Sequence, residues 1–440
     1  MKKVAIIGSG PAGLFSALEL AKEKNLEVII LEKESYSSGG MINDCKLNLS
    51  TKIGMDINDL QISEKNAENL IDYIDLKFLE HGASKETYGL ETENINRLCA
   101  KAKRCGLELI PSKQRHVGTD NSKKLVDSFK IELEEKGVKI KNMSEVQRII
   151  QQENNKFALI IGNGQEKVLE TDYLIVAPGR NGSNWFRHEA DRLKINYLWG
   201  PIDTGIRIEM PNEYYEDLTK IIYDPKLIMD INDKEFTRTF CTNPGGRIRI
   251  EVHKNNQAFQ LINGDANKNE KTKNTNLAIL TRLYLTDPLV DTRKEGLDMA
   301  KKANEYGGGK PIIQKVGDFF ENKRSRPESF NSNTKYSVEP TLNLSRLTPG
   351  DINLIYNYKI VNKIKVFLDR LDHLVPGVLN EENNIYAPEL KLYDTNYLTN
   401  SNLETNIKNL FVAGDGAGKS RGIIGAALTG IIAARGVLQK

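Results

Sequence analysis

The sequence predicts an α/β fold, in which a three-layer domain with a parallel sheet is interrupted by a mixed α+β domain. Four continuous apolar runs, at residues 4–7, 28–31, 173–177 and 410–413, have the composition of strands that are buried on both faces. Between the last two runs, residues 195–385 change character and show short strands with alternating apolar and polar residues. The parallel sheet is therefore expected to be built from both ends of the chain.

The first element is a strand followed by a tight loop and a helix. Residues 4–7 lead into Gly8-Ser9-Gly10-Pro11-Ala12-Gly13, and an Ala/Leu-rich amphipathic segment follows. In such a loop Gly8 permits the sharp turn, Gly10 lets the backbone approach a pyrophosphate, and Gly13 lets helix and strand pack closely. The helix N-terminus offers N–H groups and a positive dipole end to phosphates. The pattern predicts a Rossmann-like dinucleotide site.

The second strand supports that prediction. Residues 28–31 end on Glu32, about 20 residues after the glycines, where a carboxylate binds ribose hydroxyls in such sites. A glycine loop framed by a strand, a helix and a correctly placed acid is a far more specific signal than the glycine pattern alone.

The following elements are predicted from apolar periodicity. Residues 60–81 are expected to be helical, and residues 122–138 form a helix that leads into a short strand. Residues 157–161 and the turn Gly162-Asn163-Gly164 indicate a hairpin. Residues 173–177 then form a buried strand.

The domain boundaries follow from where the composition changes. We expect residues 1–195 to be the first part of the nucleotide-binding domain, 196–385 the inserted substrate or cap domain, and 386–440 the C-terminal part of the first domain.

Three features favour FAD over NAD. Glu32 is followed by a loop suited to pass over the flavin end, and the strand 173–177 runs into a segment that commonly lies beside the nucleotide in flavoproteins. The run 410–413 precedes Asp415, which can accept a ribityl hydroxyl, and a helix from Ile423 can stabilise negative charge on the reduced flavin. The predicted cofactor-binding residues are Gly8, Gly10, Pro11, Ala12, Gly13, Glu32, Lys33, Gly39, Gly40, Lys46, Pro178, Gly179, Arg180, Gly414, Asp415, Gly422 and Ile423.

Beyond these motifs, the whole chain resembles the FAD-dependent dehydrogenases labelled "NAD(FAD)-utilizing dehydrogenases", within the glutathione-reductase-like flavoprotein superfamily. Similar blocks occur in family order along nearly the full length: residues 43–50 (Asn43 to Ser50), 111–120, 203–211, 223–227, 238–246, 274–276, 386–391 and 414–422. The resemblance implies non-covalent FAD and flavin-dependent oxidoreduction, without an agreed substrate. Cys45 stands where the family has glycine, and Asn243 where it often has a second cysteine.

The catalytic candidates are Arg115, His116 and Cys241. A cation and an imidazole near a flavin can anchor a carboxylate and relay a proton. The alternatives are that both fix a loop by hydrogen bonds, or that Arg115 contacts the FAD pyrophosphate. Cys241 precedes a Pro-Gly-Gly loop where a thiol can lie over the flavin, but a free cysteine is more often a small buried apolar group. Arg238 is a candidate anion clamp, with a salt bridge as the alternative.

The bulk composition excludes several other functions. The 440 residues have a net charge of +3 with interspersed acids and bases, so neither a nucleic-acid surface nor a membrane surface is indicated. The four cysteines show no C-x-x-C pair and no metal-ligand spacing, so we expect no metal and no disulfide. The first strand begins near residue 3, which leaves no room for a signal peptide and favours a cytoplasmic protein.

We therefore expect an FAD-dependent oxidoreductase that moves two electrons as hydride through flavin N5 to or from a small organic substrate. No second G-x-G-x-x-G occurs between residues 120 and 385, so either NAD(P)H binds transiently at the flavin itself or another donor is used. The alternatives are a flavin-dependent RNA-modifying enzyme and a non-catalytic, redox-sensing flavoprotein. The oligomeric state is not determined by the sequence.

Overall fold

The computed structural model describes residues 1–36, 38–42, 44–90, 92–162, 167–230, 234–253, 259–331, 337–392 and 395–440. Asn43 of the family-like segment, and Asn163 and Gly164 of the expected turn, lie outside the described residues.

The secondary structure alternates strands and helices at both ends of the chain and is richer in strands between them. In chain order, the strands are β1 (Lys2–Ile7), β2 (Leu26–Leu31), β3 (Lys46–Leu49), β4 (Glu108–Ile110), β5 (Lys113–His116), β6 (Lys139–Lys141), β7 (Val146–Gln151), β8 (Phe157–Ile161), β9 (Lys167–Thr171), β10 (Tyr173–Val176), β11 (Tyr197–Trp199), β12 (Ile202–Pro211), β13 (Lys226–Met229), β14 (Thr237–Asn243), β15 (Arg247–His253), β16 (Phe259–Asp265), β17 (Asn274–Leu283), β18 (Ile312–Lys315), β19 (Thr348–Pro349), β20 (Asn384–Leu392), β21 (Thr395–Tyr397) and β22 (Leu410–Val412). The α-helices are α1 (Pro11–Leu20), α2 (Glu64–Glu80), α3 (Glu93–Arg104), α4 (Thr119–Glu135), α5 (Gly179–Leu193), α6 (Asn212–Ile221), α7 (Arg293–Tyr306), α8 (Val316–Phe320), α9 (Tyr358–Leu374) and α10 (Ile423–Leu438).

The chain divides into two compact units. Unit 1 comprises Met1–Glu86, Arg115–Gly200 and Asp394–Lys440, and unit 2 comprises Thr87–Gln114 and Pro201–Tyr393. The main difference from the boundaries expected from sequence is that residues 87–114 belong to the second unit. The cause is a strand pairing between β4 and β13, which places Leu109 opposite Leu227 at the edge of the second unit's sheet.

Unit 1 contains the predicted parallel sheet, with strand order β22-β10-β1-β2-β6. Side chains alternate across the sheet, so each strand contributes to two cores. One face, including Val4 and Ile30, packs with α1, α2, α4 and α10. The other, including Ile7 and Leu31, packs with α5 and the antiparallel strands β7, β8 and β9. This three-layer arrangement confirms the α/β, Rossmann-like fold class.

Unit 2 is built on a mixed sheet with strand order β19-β18-β20-β12-β17-β14-β13-β4. Its central strand β12 is antiparallel to both of its neighbours, β17 and β20. Ile206, Ile208 and Met210 of β12 join the apolar core that includes Ile364 and Phe367 of α9. The intervening residues of β12 are charged and equally buried, and they carry the polar chemistry described below.

No helix within the described ranges is both long enough and apolar enough to cross a membrane.

Candidate functional site

Two glycines of the N-terminal loop are required by the fold of unit 1 itself. Gly8 has a φ of +101°, and a Cβ built on it would lie 2.2 Å from the carbonyl oxygen of Ala177. A Cβ on Gly13 would lie 1.9 Å from the carbonyl oxygen of Gly8. Because both contacts involve backbone atoms that cannot turn aside, any side chain at these positions would displace a strand or the helix.

Gly10 differs from these two glycines. Its φ of −70° and ψ of −178° are accessible to any residue. A Cβ at Gly10 would have its nearest neighbour, the Cα of Gly39, at 4.0 Å. Neither backbone conformation nor packing within the protein explains a glycine here. Close approach of a ligand to the loop does explain it, as the sequence pattern predicts.

The start of α1 is suited to hold a phosphate. The helix begins at Pro11, and among the described residues no side chain caps it and no acidic residue occupies its first turn. The N–H groups of an uncapped first turn and the positive end of the helix dipole favour an anion. Pro11 and Ala12 thus occupy the positions at which the sequence predicts the pyrophosphate.

Glu32 lies buried at the end of β2, beside the same loop. Its Oε2 accepts hydrogen bonds from the Ser9 backbone N–H at 3.0 Å and the Ser9 hydroxyl at 2.8 Å, while Oε1 accepts from the N–H of Glu34 at 3.0 Å. A carboxylate has about four acceptor sites, so three bonds fix its orientation and leave capacity for a ribose hydroxyl.

The other predicted glycines converge on the loop from distant parts of unit 1. A Cβ on Gly39 would lie 3.5 Å from the Cα of Gly10, and one on Gly414 would lie 3.1 Å from the Cβ of Ala12. A Cβ on Gly40 would lie 3.9 Å from the Ile423 side chain. The structure therefore places the predicted cofactor-binding segments around one cradle, with the N-termini of α1 and α10 both contributing to it.

Asp415 organises the start of α10. Its Oδ1 accepts hydrogen bonds from the Ser420 hydroxyl at 3.0 Å and the Gly422 N–H at 3.1 Å, and the Arg180 guanidinium lies 3.8 Å from Oδ2. The carboxylate is thus oriented by the loop that precedes the helix, as a ligand for a ribityl hydroxyl would need to be.

The remaining predicted cofactor residues lie at the surface or near it. Lys33 is exposed, with its ammonium 4.0 Å from the Glu34 carboxylate. Pro178 is half-buried immediately before α5, and Gly179 and Arg180 are exposed in its first turn.

A further polar cluster surrounds Asp44. The Lys46 ammonium lies 2.7 Å from one carboxylate oxygen of Asp44, and His116 Nε2 lies 2.5 Å from the other. Burial by itself raises the pKa of the Asp44 carboxyl, but the opposing charges and hydrogen bonds of Lys46 and His116 outweigh burial and hold that pKa below its ordinary value. Lys46, predicted to touch cofactor, and His116, predicted to be catalytic, are therefore joined through one carboxylate.

Cys45 occupies a strained backbone position inside this cluster. Its φ of +49° lies in the left-handed region that favours glycine, which accounts for the glycine expected there from the family resemblance. Burial raises the pKa of its thiol well above the usual range, with the Asp44 charge adding to the effect. Cys45 is thus a buried thiol without thiolate character.

Arg115 makes the hydrogen bonds that its loop-fixing alternative predicts. Its Nε and Nη2 donate to the two carboxylate oxygens of Asp75 at 2.6 and 3.0 Å, and Nη1 donates to the backbone carbonyls of Ser84 and Lys85 at 2.9 and 2.8 Å. Both side chains of the ion pair are buried. These contacts tie α2 and the loop after it to β5, and a catalytic role for Arg115 stays a prediction.

Cys241 belongs to unit 2, in the stretch of β14 where the pairing register with β17 shifts. Its φ is +48° and its side chain is half-buried, with Sγ 3.8 Å from the Asn243 amide oxygen. Asn243, in place of a second cysteine, donates to the amide oxygen of Asn276 at 3.0 Å.

Of the polar interior of unit 2, only Arg238 was indicated by the sequence. Arg207 and Glu389 are both fully buried and form a two-fold hydrogen-bonded ion pair at 2.7 and 2.9 Å. Asp203 is buried beside Arg238 and Arg282. The available signal was the alternation along β12, which has charged residues at positions 203, 207 and 209 and apolar residues at 202, 206, 208 and 210. Such alternation is usually taken to mean solvent exposure, whereas here both faces of β12 are buried.

Comparison with known proteins agrees with the cofactor cradle. A family model described as an FAD binding domain matches residues 3–44. An uncharacterized protein from Clostridium beijerinckii is 24% identical over 472 aligned residues, which span 99% of this chain and 80% of that protein.

Two solved oxidase structures also align over the chain. L-alpha-glycerophosphate oxidase from Mycoplasma pneumoniae with FAD bound is 12% identical, with 100% of this chain and 96% of that chain covered and a TM-score of 0.46. Glycine oxidase from Geobacillus kaustophilus is 13% identical, with the same coverage and a TM-score of 0.43.

The residues of the cradle fit FAD, and the match at residues 3–44 lies on the glycine loop, Glu32 and the start of the Gly39-Gly40 segment. The first unit therefore contains an FAD-binding segment at residues 3–44. The family-model match ends at residue 44, whereas the observed cradle extends to Gly414 and Ile423 near the other end of the chain.

Proposed function

We propose that the protein is an FAD-dependent oxidoreductase that moves two electrons as a hydride between the flavin and a small organic substrate. The observation that carries the proposal is Gly10, whose missing side chain is explained by close approach of a ligand and by no contact within the protein. Bound FAD would supply the electron-pair chemistry at its N5 atom, which no protein side chain can provide.

The chain's own residues bind and orient the cofactor in this proposal. The first turn of α1 holds the pyrophosphate, and Glu32 holds a ribose hydroxyl with the orientation set by Ser9. Asp415 holds a ribityl hydroxyl, with its orientation set by Ser420 and Gly422.

His116 is the candidate proton carrier. Its Nε2 donates to the Asp44 carboxylate, which fixes the ring orientation in the way that an acid orients a catalytic imidazole. The Lys46 ammonium balances the carboxylate charge from its other side. Cys241 remains a candidate for contact with substrate.

NAD(P)H is the electron donor to test first, in line with the resemblance to NAD(FAD)-utilizing dehydrogenases. The experiment is an anaerobic titration of the purified protein with NADH and then NADPH, followed by the visible flavin spectrum. Bleaching of the bound flavin by either nucleotide is the expected result and identifies the donor.

If neither NADH nor NADPH bleaches the flavin, the NAD(P)H assignment is overturned, and an organic donor or a redox-sensing role is left. A protein without flavin even after added FAD would overturn the proposed function as a whole. His116→Gln with wild-type flavin content tests the proton role, because loss of a positioned acid–base group should slow flavin reduction by about 100-fold or more.

A further inference from the structure

Four cationic side chains of unit 2 gather around two phenylalanine rings. The ammonium of Lys226 lies 5.4 Å and that of Lys391 5.7 Å from the centre of the Phe240 ring, and the Arg238 guanidinium lies 5.1 Å from the same centre. The Arg282 guanidinium lies 4.6 Å from the centre of the Phe236 ring. Cations at these distances are attracted to the electron-rich ring face. The cluster comes from four strands, β13, β14, β17 and β20, and we call it the cation cluster.

Buried carboxylates hold the cation cluster in place. Asp203 accepts a hydrogen bond from Arg238 at 2.7 Å and another from Arg282 at 2.7 Å, and its own side chain is fully buried. The opposing charges of the two arginines outweigh burial and hold the pKa of Asp203 below its ordinary value. The two guanidinium groups are therefore fixed relative to each other.

The lysines are held in the same way. Lys226 donates to Asp224 at 2.6 Å, and the Lys391 ammonium lies 3.3 Å from Glu389. Glu389 is in turn fixed by both nitrogens of its ion pair with Arg207. Because each cation is oriented from beneath by an acid, little side-chain entropy remains to be lost when a ligand binds.

The cluster has a fully buried base and an accessible rim. The side chains of Arg207 and Glu389 have no exposed surface, whereas those of Arg238 and Arg282 are 20% and 21% exposed. Phe240 and Cys241 are half-buried beside them. The exposed parts of both guanidinium groups and of the Phe240 ring are therefore accessible to a small molecule.

We propose that the cation cluster is a binding site for a carboxylate-bearing organic molecule, with the carboxylate on Arg238 and Arg282 and the carbon skeleton against Phe240. Arginine presents planar N–H pairs that match a carboxylate, and a preorganised pair of such groups discriminates against neutral analogues. The proposed site lies wholly within unit 2, and the inference is independent of the proposed function.

The test measures binding to the FAD-containing protein by calorimetry, which does not depend on turnover. The probes are acetate, lactate, succinate and benzoate, each compared with its neutral amide, and inorganic phosphate. At least one carboxylate is expected to bind at least ten times more tightly than its amide and than phosphate. Equal binding of acid and amide, preference for phosphate, or no binding of any carboxylate would overturn the proposal.

Substitutions of Arg238 test whether the carboxylate binds at the cation cluster. Arg238→Gln should weaken binding of the best carboxylate at least tenfold, and Arg238→Lys should recover part of it because the charge returns without the planar fork. Arg97→Gln is the matched control, since Arg97 lies in the same unit, is 73% exposed and pairs with Glu93 at the surface. Unchanged binding in Arg238→Gln, with the flavin content of the wild type, would also overturn the proposal.

The two proposals fail differently. Carboxylate binding without flavin reduction by any donor would leave the site and remove the oxidoreductase function. Flavin reduction by NAD(P)H without carboxylate binding would leave the function and remove the site.

Discussion

Replacing Gly10 by alanine separates a glycine required by a ligand from one required by the fold. The new methyl group would have its nearest protein atom 4.0 Å away, and the backbone angles suit alanine. The apoprotein should therefore be as stable as the wild type or more stable by about 0.4–1 kcal/mol, because alanine restricts the unfolded chain.

The added methyl group of Gly10→Ala should instead weaken the binding of FAD. Forcing a methyl group into a well-packed contact costs about 1–3 kcal/mol, which corresponds to about 5- to 150-fold in the dissociation constant. The assay measures FAD affinity by flavin fluorescence during reconstitution of the apoprotein, together with urea unfolding of the same apoprotein.

Gly13→Ala is the matched contrast in the same loop. Its Cβ would lie 1.9 Å from the Gly8 carbonyl oxygen, so it should destabilise the apoprotein itself. If Gly10→Ala bound FAD with wild-type affinity, the close-approach argument would be refuted. If Gly10→Ala unfolded the apoprotein, the glycine would be required by packing that the geometry does not show.

Three further predictions concern buried ion pairs. Glu389→Gln leaves Arg207 fully buried without its charge partner and should lower the free energy of unfolding by about 3–5 kcal/mol. The double variant Arg207→Met/Glu389→Leu removes both charges, so its free energy of unfolding should fall much less in the same urea titration. Arg115→Gln should lower the free energy of unfolding by a similar amount, while flavin reduction in the folded fraction stays at the wild-type rate. A slowed rate with unchanged stability would favour the catalytic role for Arg115 instead. The lowered pKa of Asp44 means that its stabilisation is present above pH 3.8, the ordinary aspartate value, and is lost as the pH falls further. Asp44→Asn should thus be less stable than wild type at pH 7, and a gap that failed to narrow below pH 3.8 would contradict the assigned ion pairs.

Local sequence patterns were sufficient to predict the main elements of the nucleotide-binding domain. The glycine loop, the strand that ends on Glu32 and the helix from Ile423 were all predicted, because strand, turn and helix each impose a short-range spacing on the chain. The same patterns gave the discontinuous domain, since continuous apolar runs return near residue 410. The three glycines look alike in the motif. Only the folded structure shows that Gly8 and Gly13 are required by packing and that Gly10 is not.

Long-range pairing was decided by the tertiary structure. Arg115 meets Asp75 across 40 residues, and His116 meets Asp44 across 72, so no local spacing indicates which of two adjacent polar residues packs with which acid. Residues 87–114 joined the second unit through the pairing of β4 with β13, a contact between strands far apart in sequence.

The cation cluster is the clearest example of contacts that local sequence patterns do not indicate. Arg238, Arg282 and Lys391 come from strands that are adjacent only after the sheet has formed, and the acids that orient them come from others. Local patterns were enough to predict the strands and helices that frame the glycine loop and the start of α10, because these depend on residues near one another in the chain. Only the folded sheet decided which charges share its interior, because burial and pairing depend on neighbours that the chain brings together from a distance.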